Sequence, residues 1–352
     1  MLERYLYAIY FKYIIILLVA LQSFYVGLDF LGNARKLPDS ANLQVLYLLY
    51  KSGAALTITL PLSLVFGMIA TKIHLIRANE LVVVYALGVT RSSALKPFIS
   101  LSILFSFLYI IANMSNFAYA DQYAKAIKKD KYFVSVTNDI FLKVNNSYLF
   151  IEKLLPVQKS ALGVRIFQMR DGSLRRVISS ESAQFKDNAW ELYDGEIVDI
   201  PLVKGIQKEG LVYSYFETIQ ILEGFQPKLL ENVYEGSSIF SIIDAVKTIL
   251  LLKDEEVNLD KVISSLSKNI LMPMFAPLLV IIIFFFVPIS SRFLNIALFS
   301  SLAIFSTLVV WGAIFAMNTL AQNGTVNIFI GLVGPFVLLF GVAFCLFRRH
   351  AK

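Results

Sequence analysis

Six long apolar segments constrain this chain more than any other feature of its sequence. Each has about 20 residues, enough for a helix to cross a hydrocarbon core about 30 Å thick. A chain in lipid must satisfy its backbone polar groups internally, and only helices and closed barrels do so. The sequence therefore predicts a helical membrane protein, with two groups of three spans at about 10–31, 54–75 and 97–118, then 270–288, 297–320 and 326–347.

The composition agrees with a membrane protein and argues against nucleic-acid binding. Charged residues make up 16% of the 352 residues, and the mean hydropathy is +0.68. Soluble domains have about 25% charged residues. The net charge of +7 is not concentrated in a basic, aromatic-rich soluble module, so it indicates charge bias at membrane faces. Cys345 is the only cysteine, so an intrachain disulfide is impossible.

Lysine and arginine in the short loops predict the orientation, because these residues favour the cytoplasmic side. If both termini are cytoplasmic, ten basic residues lie on the inner side and three lie in the short outer loops. We therefore expect a multi-pass membrane protein with both termini in the cytoplasm. The inner set is Arg4, Lys12, Lys72, Arg77, Arg91, Lys96, Arg292, Arg348, Arg349 and Lys352, and the outer set is Arg35, Lys36 and Lys51.

The polar segment between the third and fourth spans carries repeated hairpin signals. Asn145-Asn146 and Asp171-Gly172 are good tight-turn pairs between alternating apolar stretches, and further turns are predicted at 186–188 and at Asp194-Gly195. Several short strands with regular turns predict an all-β domain, either a β-sandwich or an open jelly roll. The orientation places this domain outside, on the side of the membrane opposite the termini. The predicted domains are transmembrane helices 1–3 at 1–118, a jelly-roll-like domain at 119–257 and helices 4–6 at 258–352.

A short apolar helix at 79–88 is predicted between the second and third spans. Asn79 is a plausible N-cap, Glu80 places a negative charge in the first turn, and Gly88 is a plausible stop. The helix is too short to cross a bilayer. Two interpretations remain: a re-entrant turn that rests on lipid, or a coupling helix that fits a groove on a cytoplasmic motor.

The sequence has no motif for its own chemistry or energy supply. It lacks a P-loop, a G-x-S-x-G nucleophile motif, an H-E-x-x-H zinc motif and any Cys/His cluster. The two histidines, His74 and His350, are far apart, so no metal site is expected. We predict no catalytic residue and no cofactor in this chain. If it moves a substrate, a partner must provide the energy, and the 79–88 helix is the natural place for that partner to bind.

Several stretches together resemble the LptF/LptG permease family of lipopolysaccharide exporters. The most specific is E-L-V-V-V-Y-A-L-G-V-T at 80–90, preceded by L-P-L-S-L-V-F-G at 60–67. The likeness covers nearly the whole chain. Two of the matching stretches, N-N-S-Y-L-F-I-E and W-E-L-Y-D-G, favour LptG over LptF. Further matching stretches are 145–152, 190–195, 267–273 and 287–292.

The resemblance implies an ABC transporter in which this chain has no enzymatic activity. Family members pair as LptF and LptG, bind two copies of the ATPase LptB, which binds the ATP, and pass lipopolysaccharide to an LptC-containing periplasmic bridge toward the outer membrane. In this chain Glu80 would face the ATPase. Leu81, Tyr85 and Leu87 would fill its groove, beside Gly88 and Arg91.

Lipopolysaccharide carries phosphates and acyl chains, and each implies a set of contacts. Arg35, Lys36 and Lys51 are the candidates for the phosphates, because arginine and lysine bind such oxygens well. Family LptG members have lysines in the last turns of span 1, whereas this chain has Asp29, Gly32 and Asn33. The alternative is ordinary loop charges and lipid-facing side chains. The candidates for the acyl cavity are Phe24, Leu28, Leu31, Phe305 and Trp311.

Three other functions remain open from the residues alone. A lipoprotein-releasing ABC permease is the nearest, although that class typically has four spans rather than six. A membrane-anchored periplasmic scaffold would not need the cytoplasmic helix. A lipid-modifying membrane enzyme would need a nucleophile or metal constellation that the sequence lacks.

Overall fold

The computed structural model describes residues 2–128, 137–144, 147–156, 158–170, 172–201, 210–227, 230, 239–252, 259–286 and 295–350. The chain divides into two compact units, a helical unit of Met1–Lys128 with Ser264–Lys352 and a second unit of Lys129–Ile263. The first boundary lies ten residues beyond the predicted one at 118/119, so a short helix after the third span groups with the membrane helices.

The helical unit confirms the six predicted spans, since six helices in the described residues are long and apolar enough to cross a membrane. They are α1 (Leu2–Asn33), α2 (Ala41–Arg77), α4 (Arg91–Ala112), α7 (Asp260–Phe286), α8 (Ile296–Gln322) and α9 (Ile328–His350). The shorter elements of this unit are a 3-10 turn (Ala34–Lys36), α3 (Glu80–Ala86), a second 3-10 turn (Asn116–Tyr119) and α5 (Ala120–Lys128), whereas α6 (Ile242–Leu252) belongs to the second unit.

Helix α2 is longer than its predicted span. Its 37 residues cover about 55 Å at 1.5 Å per residue. Lys51, which was expected in an outer loop, therefore lies within this helix, as does Lys72. Their side chains are held against neighbouring elements and not in free loops.

The core of the helical unit is formed mainly by α2 and α7. Buried residues make up 61% of the most apolar window of α2 and 56% of that of α7. The corresponding shares are 11% for α1 and 17% for both α8 and α9. These three helices therefore present broad apolar surfaces outward, as expected for contact with lipid or another membrane subunit.

Polar contacts inside the bundle satisfy backbone groups that the helices leave free. Pro277 in α7 has no N–H, so the carbonyl of Pro273 loses its usual helical partner. The hydroxyl of Ser106 in α4 donates to that oxygen at 2.9 Å. Such side-chain donors are how proline is tolerated in membrane helices.

The second unit contains one antiparallel sheet in which each strand pairs with its neighbour along the chain. The predicted turn at 186–188 is confirmed, with positive φ at Asp187 and Asn188. Asn145, Asn146 and Asp171 of the other two predicted turns lie outside the described residues. The strands are β1 (Thr137–Val144), β2 (Ser147–Leu155), β3 (Ser160–Arg170), β4 (Ser173–Lys186), β5 (Ala189–Asp199) and β6 (Val212–Ile221).

A row of irregular positions crosses all six strands of this sheet. At one residue in each strand the pairing is interrupted, and the spacing between inward-facing residues increases from two to three, as between Ile151 and Leu154. The pairing keeps the same register on both sides of the row, so the row marks a bend shared by all six strands and not a bulge with an extra residue. The row consists of Asp139, Glu152, Gly163, Glu181, Asp194 and Glu217, with positive φ at Asp139, Gly163 and Asp194.

The bend lets the two halves of the sheet share one core. Ile151 and Ile178 on one side of the row and Leu154 and Trp190 on the other belong to the same buried cluster. The Trp190 indole N–H donates to the carbonyl of Phe225 at 2.6 Å. The sheet thus forms the open, roll-like β domain that the sequence predicts between the third and fourth spans.

Candidate functional site

Helix α3 begins and ends close to the predicted residues. Asn79 precedes it with a left-handed φ of 57°, and its side chain makes no capping hydrogen bond. Gly88 follows it with a φ of +82°, a conformation that glycine adopts without strain. Thr90 then caps α4 by accepting a hydrogen bond from the Ser93 N–H at 3.2 Å. These turns hold α3 as a separate rod between two spans.

The two faces of α3 have different environments. Leu81 and Val84 are each only 2% exposed, and Leu81 belongs to the core cluster of the helical unit. Tyr85 packs against the same cluster. Burial raises the pKa of Tyr85, with Arg91 opposing the shift, so its phenol is neutral. The outward apolar face consists of Val82, Val83 and Leu87, which are 40%, 56% and 70% exposed.

This arrangement changes which predicted docking residues are accessible. Leu87, Gly88, Glu80 and Arg91 are exposed or partly exposed, whereas Leu81 is buried in its own chain and Tyr85 faces inward. A helix that is apolar all round gives no periodic signal for its outer face. The structure adds Val82 and Val83 as exposed candidates for docking. The docking residues predicted from the sequence did not include them.

Glu80 is held by the first helix. The Tyr5 hydroxyl donates to Glu80 Oε2 at 2.6 Å, which joins the start of α1 to the start of α3. A carboxylate in the first turn also interacts favourably with the helix dipole. The contact orients the acidic group at the exposed end of α3.

At the opposite end of the bundle, Lys51 is already paired with carboxylates of its own chain. Its Nζ lies 3.1 Å from Asp29 Oδ1 and 3.5 Å from Asp121 Oδ1, and the side chain is 15% exposed. Tyr47 also donates to Asp29. Burial alone would raise the pKa of Asp121, but Lys125 and Lys51 outweigh it and hold the pKa below the usual value. The structure thus gives the predicted phosphate ligand Lys51 an internal role.

The other predicted substrate contacts on α1 share one exposed face. Phe24, Leu28 and Leu31 follow the helical spacing of four and three residues and are 68%, 55% and 73% exposed. Arg35 and Lys36 follow them in the 3-10 turn, exposed and without an ion pair to any residue that the structure describes. The structure thus places an exposed apolar stripe on α1 directly before two exposed cations.

The two candidates on α8 differ in environment. Phe305 is 65% exposed. Trp311 instead packs against the helical core and stacks on Phe315 with ring centroids 5.8 Å apart. Only Phe305 presents a free apolar side chain for a ligand or a neighbouring subunit.

The pairing of Lys51 leads to a stability prediction. In Lys51→Met, Asp29 and Asp121 lose a cation in a partly buried site, so unfolding should become easier by about 2 kcal/mol at pH 7. Because the pKa of Asp121 is depressed, its contribution is present at neutral pH and lost as pH falls below about 4. The measurement is thermal unfolding of the detergent-solubilised chain from pH 7 down to pH 3.

Lys125→Met is the matched control, because its Nζ contacts the same Asp121 at 2.7 Å but its side chain is 62% exposed. An exposed pair contributes about 0–1 kcal/mol, so this variant should lose much less stability. Equal losses in the two variants, or a Lys51→Met deficit that does not shrink in acid, would contradict the internal role of Lys51.

Comparison with known proteins identifies the family but no individual relative. No curated protein matches the chain. Among the residues that the structure describes, no group of three or more His, Cys, Asp and Glu could hold a metal ion. The sequence model described as lipopolysaccharide export system permease LptF/LptG matches residues 4–349. With six membrane-length helices, a β domain after the third, and a match over nearly its whole length, the chain belongs to the LptF/LptG family of lipopolysaccharide export permeases.

Proposed function

We propose that this chain is one permease subunit of an ABC transporter that extracts lipopolysaccharide from the bacterial inner membrane and passes it toward the outer membrane. It pairs with a sister permease, LptF or LptG. A dimeric LptB-like ATPase binds and hydrolyses the ATP, so the chain needs no cofactor of its own. Family membership supports the substrate and the transport role.

The observation that carries the proposal is the outward apolar face of α3. Val82, Val83 and Leu87 form a stiff, exposed, apolar surface between two spans, with Glu80 at one end. Leu81 and Val84 anchor the opposite face in the chain itself. A short helix with one face packed in the core and an exposed apolar face on the other side can transmit displacement, because packed interiors resist compression. A turn that merely rests on lipid would not need this anchoring.

The outer half of α1 is the proposed entry surface for the substrate. Phe24, Leu28 and Leu31 would contact acyl chains, and Arg35 and Lys36 would contact phosphates. Arginine binds phosphate oxygens in a bidentate manner, whereas lysine acts as a point charge. Phe305 provides a further exposed apolar side chain on α8. Lys51 is not part of this proposed set, because its charge is taken up by Asp29 and Asp121.

The loop charges support a cytoplasmic position for both termini and for α3, and a periplasmic position for the β domain. In that orientation β1 and β6, the edge strands of the sheet among the described residues, lie in the compartment of the bridge protein. Unpaired strand edges are ready templates for pairing with another chain. An LptC-like protein is the proposed partner at this domain.

The experiment is a release assay in proteoliposomes. The chain, its sister permease and the ATPase that co-purifies with them are reconstituted with labelled lipopolysaccharide, and release to a soluble periplasmic acceptor is followed with and without ATP. The proposal expects release that requires ATP, the ATPase and this chain together. Release without ATP, or no co-purifying ATPase from native membranes, would contradict it.

A further inference from the structure

Lys72 is a buried lysine in the interior of the membrane bundle. Its residue is 2% exposed, and it lies in α2 roughly one and a half turns before the helix ends at Arg77. A charged side chain within a membrane helix is costly and normally has a specific partner and a function. Its predicted place among the basic residues of the inner side does not explain why its side chain is buried.

The partner of Lys72 is the end of another span. Its Nζ donates to the carbonyl of Phe284 at 2.8 Å and lies 3.6 Å from the centroid of the Phe284 ring. Helix α7 ends at Phe286, so this carbonyl is in the last turn, where the helix dipole favours a cation. The ring adds a cation–π contact.

This contact takes the place of an ion pair. Within the described ranges, Lys72 forms no salt bridge, and the next eight residues after α7, 287–294, contain no aspartate or glutamate. The ammonium group is therefore committed to α7. Replacing it with an apolar side chain of similar length would remove a buried charge and would not leave an orphan carboxylate.

The same region connects to α3. Phe284, Phe98 and Leu81 belong to one buried cluster, with the Phe98 and Phe284 ring centroids 5.4 Å apart. The inner end of α2 leads directly into α3 through Ala78 and Asn79. A displacement of α3 is thus passed to the inner end of α2, which carries Lys72. The contact of Lys72 with Phe284 then passes it to α7.

We propose that Lys72 is a positioning residue that makes the inner ends of α2 and α7 move as one body when the ATPase displaces α3. This inference rests on the proposed function and specifies how the movement enters the fourth span. Apolar contacts are non-directional, so α2 and α7 could slide past each other at similar energy if they packed through such contacts alone. The hydrogen bond from Lys72 fixes their relative position.

The test measures a distance during the ATP cycle. Spin labels at His74→Cys on α2 and Phe286→Cys on α7, both at exposed positions, are introduced with Cys345→Ser to remove the native thiol. The assembled transporter is measured by pulsed electron resonance with and without a non-hydrolysable ATP analogue. In the otherwise wild-type chain the label distance should be the same in both states. A distance that changes on ATP binding would overturn the inference.

Lys72→Met and Lys72→Arg provide the functional readout. Lys72→Met should keep the ATPase bound and hydrolysing ATP, broaden the label distance on ATP binding, and reduce released lipopolysaccharide per ATP by about tenfold, as for loss of a charge-assisted hydrogen bond. Lys72→Arg, which keeps a buried cationic donor, should recover part of the coupling. Unchanged release per ATP in Lys72→Met would overturn the inference while leaving the proposed function intact, whereas failure of the wild-type chain to bind an ATPase would overturn the proposed function.

Discussion

Val83→Asp is expected to abolish docking of the partner ATPase while leaving the helical bundle folded. Val83 is 56% exposed at the centre of the outward face of α3. An aspartate there would be buried without a partner in an apolar contact, which should weaken binding by about 100-fold or more. The measurement is the amount of ATPase that co-purifies with the detergent-solubilised permease pair, together with thermal unfolding of the chain.

Leu81→Asp is the matched control, because it makes the same change two residues earlier on the same helix. Leu81 is 2% exposed and part of the core cluster, so a carboxylate there would lie among apolar side chains. The chain itself should lose several kcal/mol of stability and aggregate or fail to purify. If Val83→Asp kept normal ATPase binding, or destabilised the chain as much as Leu81→Asp, the assignment of the two faces would be wrong.

Gly195→Ala is expected to have the largest effect of any single methyl group added to the β domain. A Cβ at this position would overlap the Phe216 ring on β6 and the Ser179 carbonyl oxygen on β4. The Ser179 carbonyl oxygen is held in place by the sheet. The strands must therefore separate, or the row of irregular positions must shift. Overpacking of this kind costs about 3 kcal/mol.

Gly210→Ala is the control for Gly195→Ala, because a Cβ there would meet nothing within 4 Å and its backbone needs no special conformation. Denaturant unfolding can be followed by the fluorescence of buried Trp190 in a Trp311→Phe background. The Trp190 transition should shift to much lower denaturant in Gly195→Ala and stay in place in Gly210→Ala. Coincident transitions would show that the sheet accommodates the methyl group.

Glycine 195 also shows the limit of local turn rules. Asp194-Gly195 is a typical turn pair, and the sequence favours a turn there. In the structure both residues lie within β5, where Asp194 has a φ of 46° in the row of irregular positions and Gly195 pairs with Phe216. The same residue types serve turns and irregular positions inside strands, and only the neighbouring strands decide between them.

The features that depend on local composition were predictable. The six spans follow from runs of apolar residues, because their length and low charge are sufficient for insertion in lipid. The end of α3 follows from Gly88, which adopts a positive φ. Asn79 precedes the helix in a left-handed conformation and does not cap it. The turn at 187–188 follows from two residues that tolerate positive φ.

The features that depend on residues distant in sequence were not predictable. Lys51 pairs with Asp29 and Asp121, and Lys72 donates to a carbonyl more than 200 positions away at Phe284. The outward face of α3 emerged only when α1, α2 and α4 covered the other side. Hydrophobicity is non-directional, so an all-apolar helix specifies that it will be buried but not against what. Packing of the whole bundle makes that choice, and it separates Val82, Val83 and Leu87 from Leu81 and Val84.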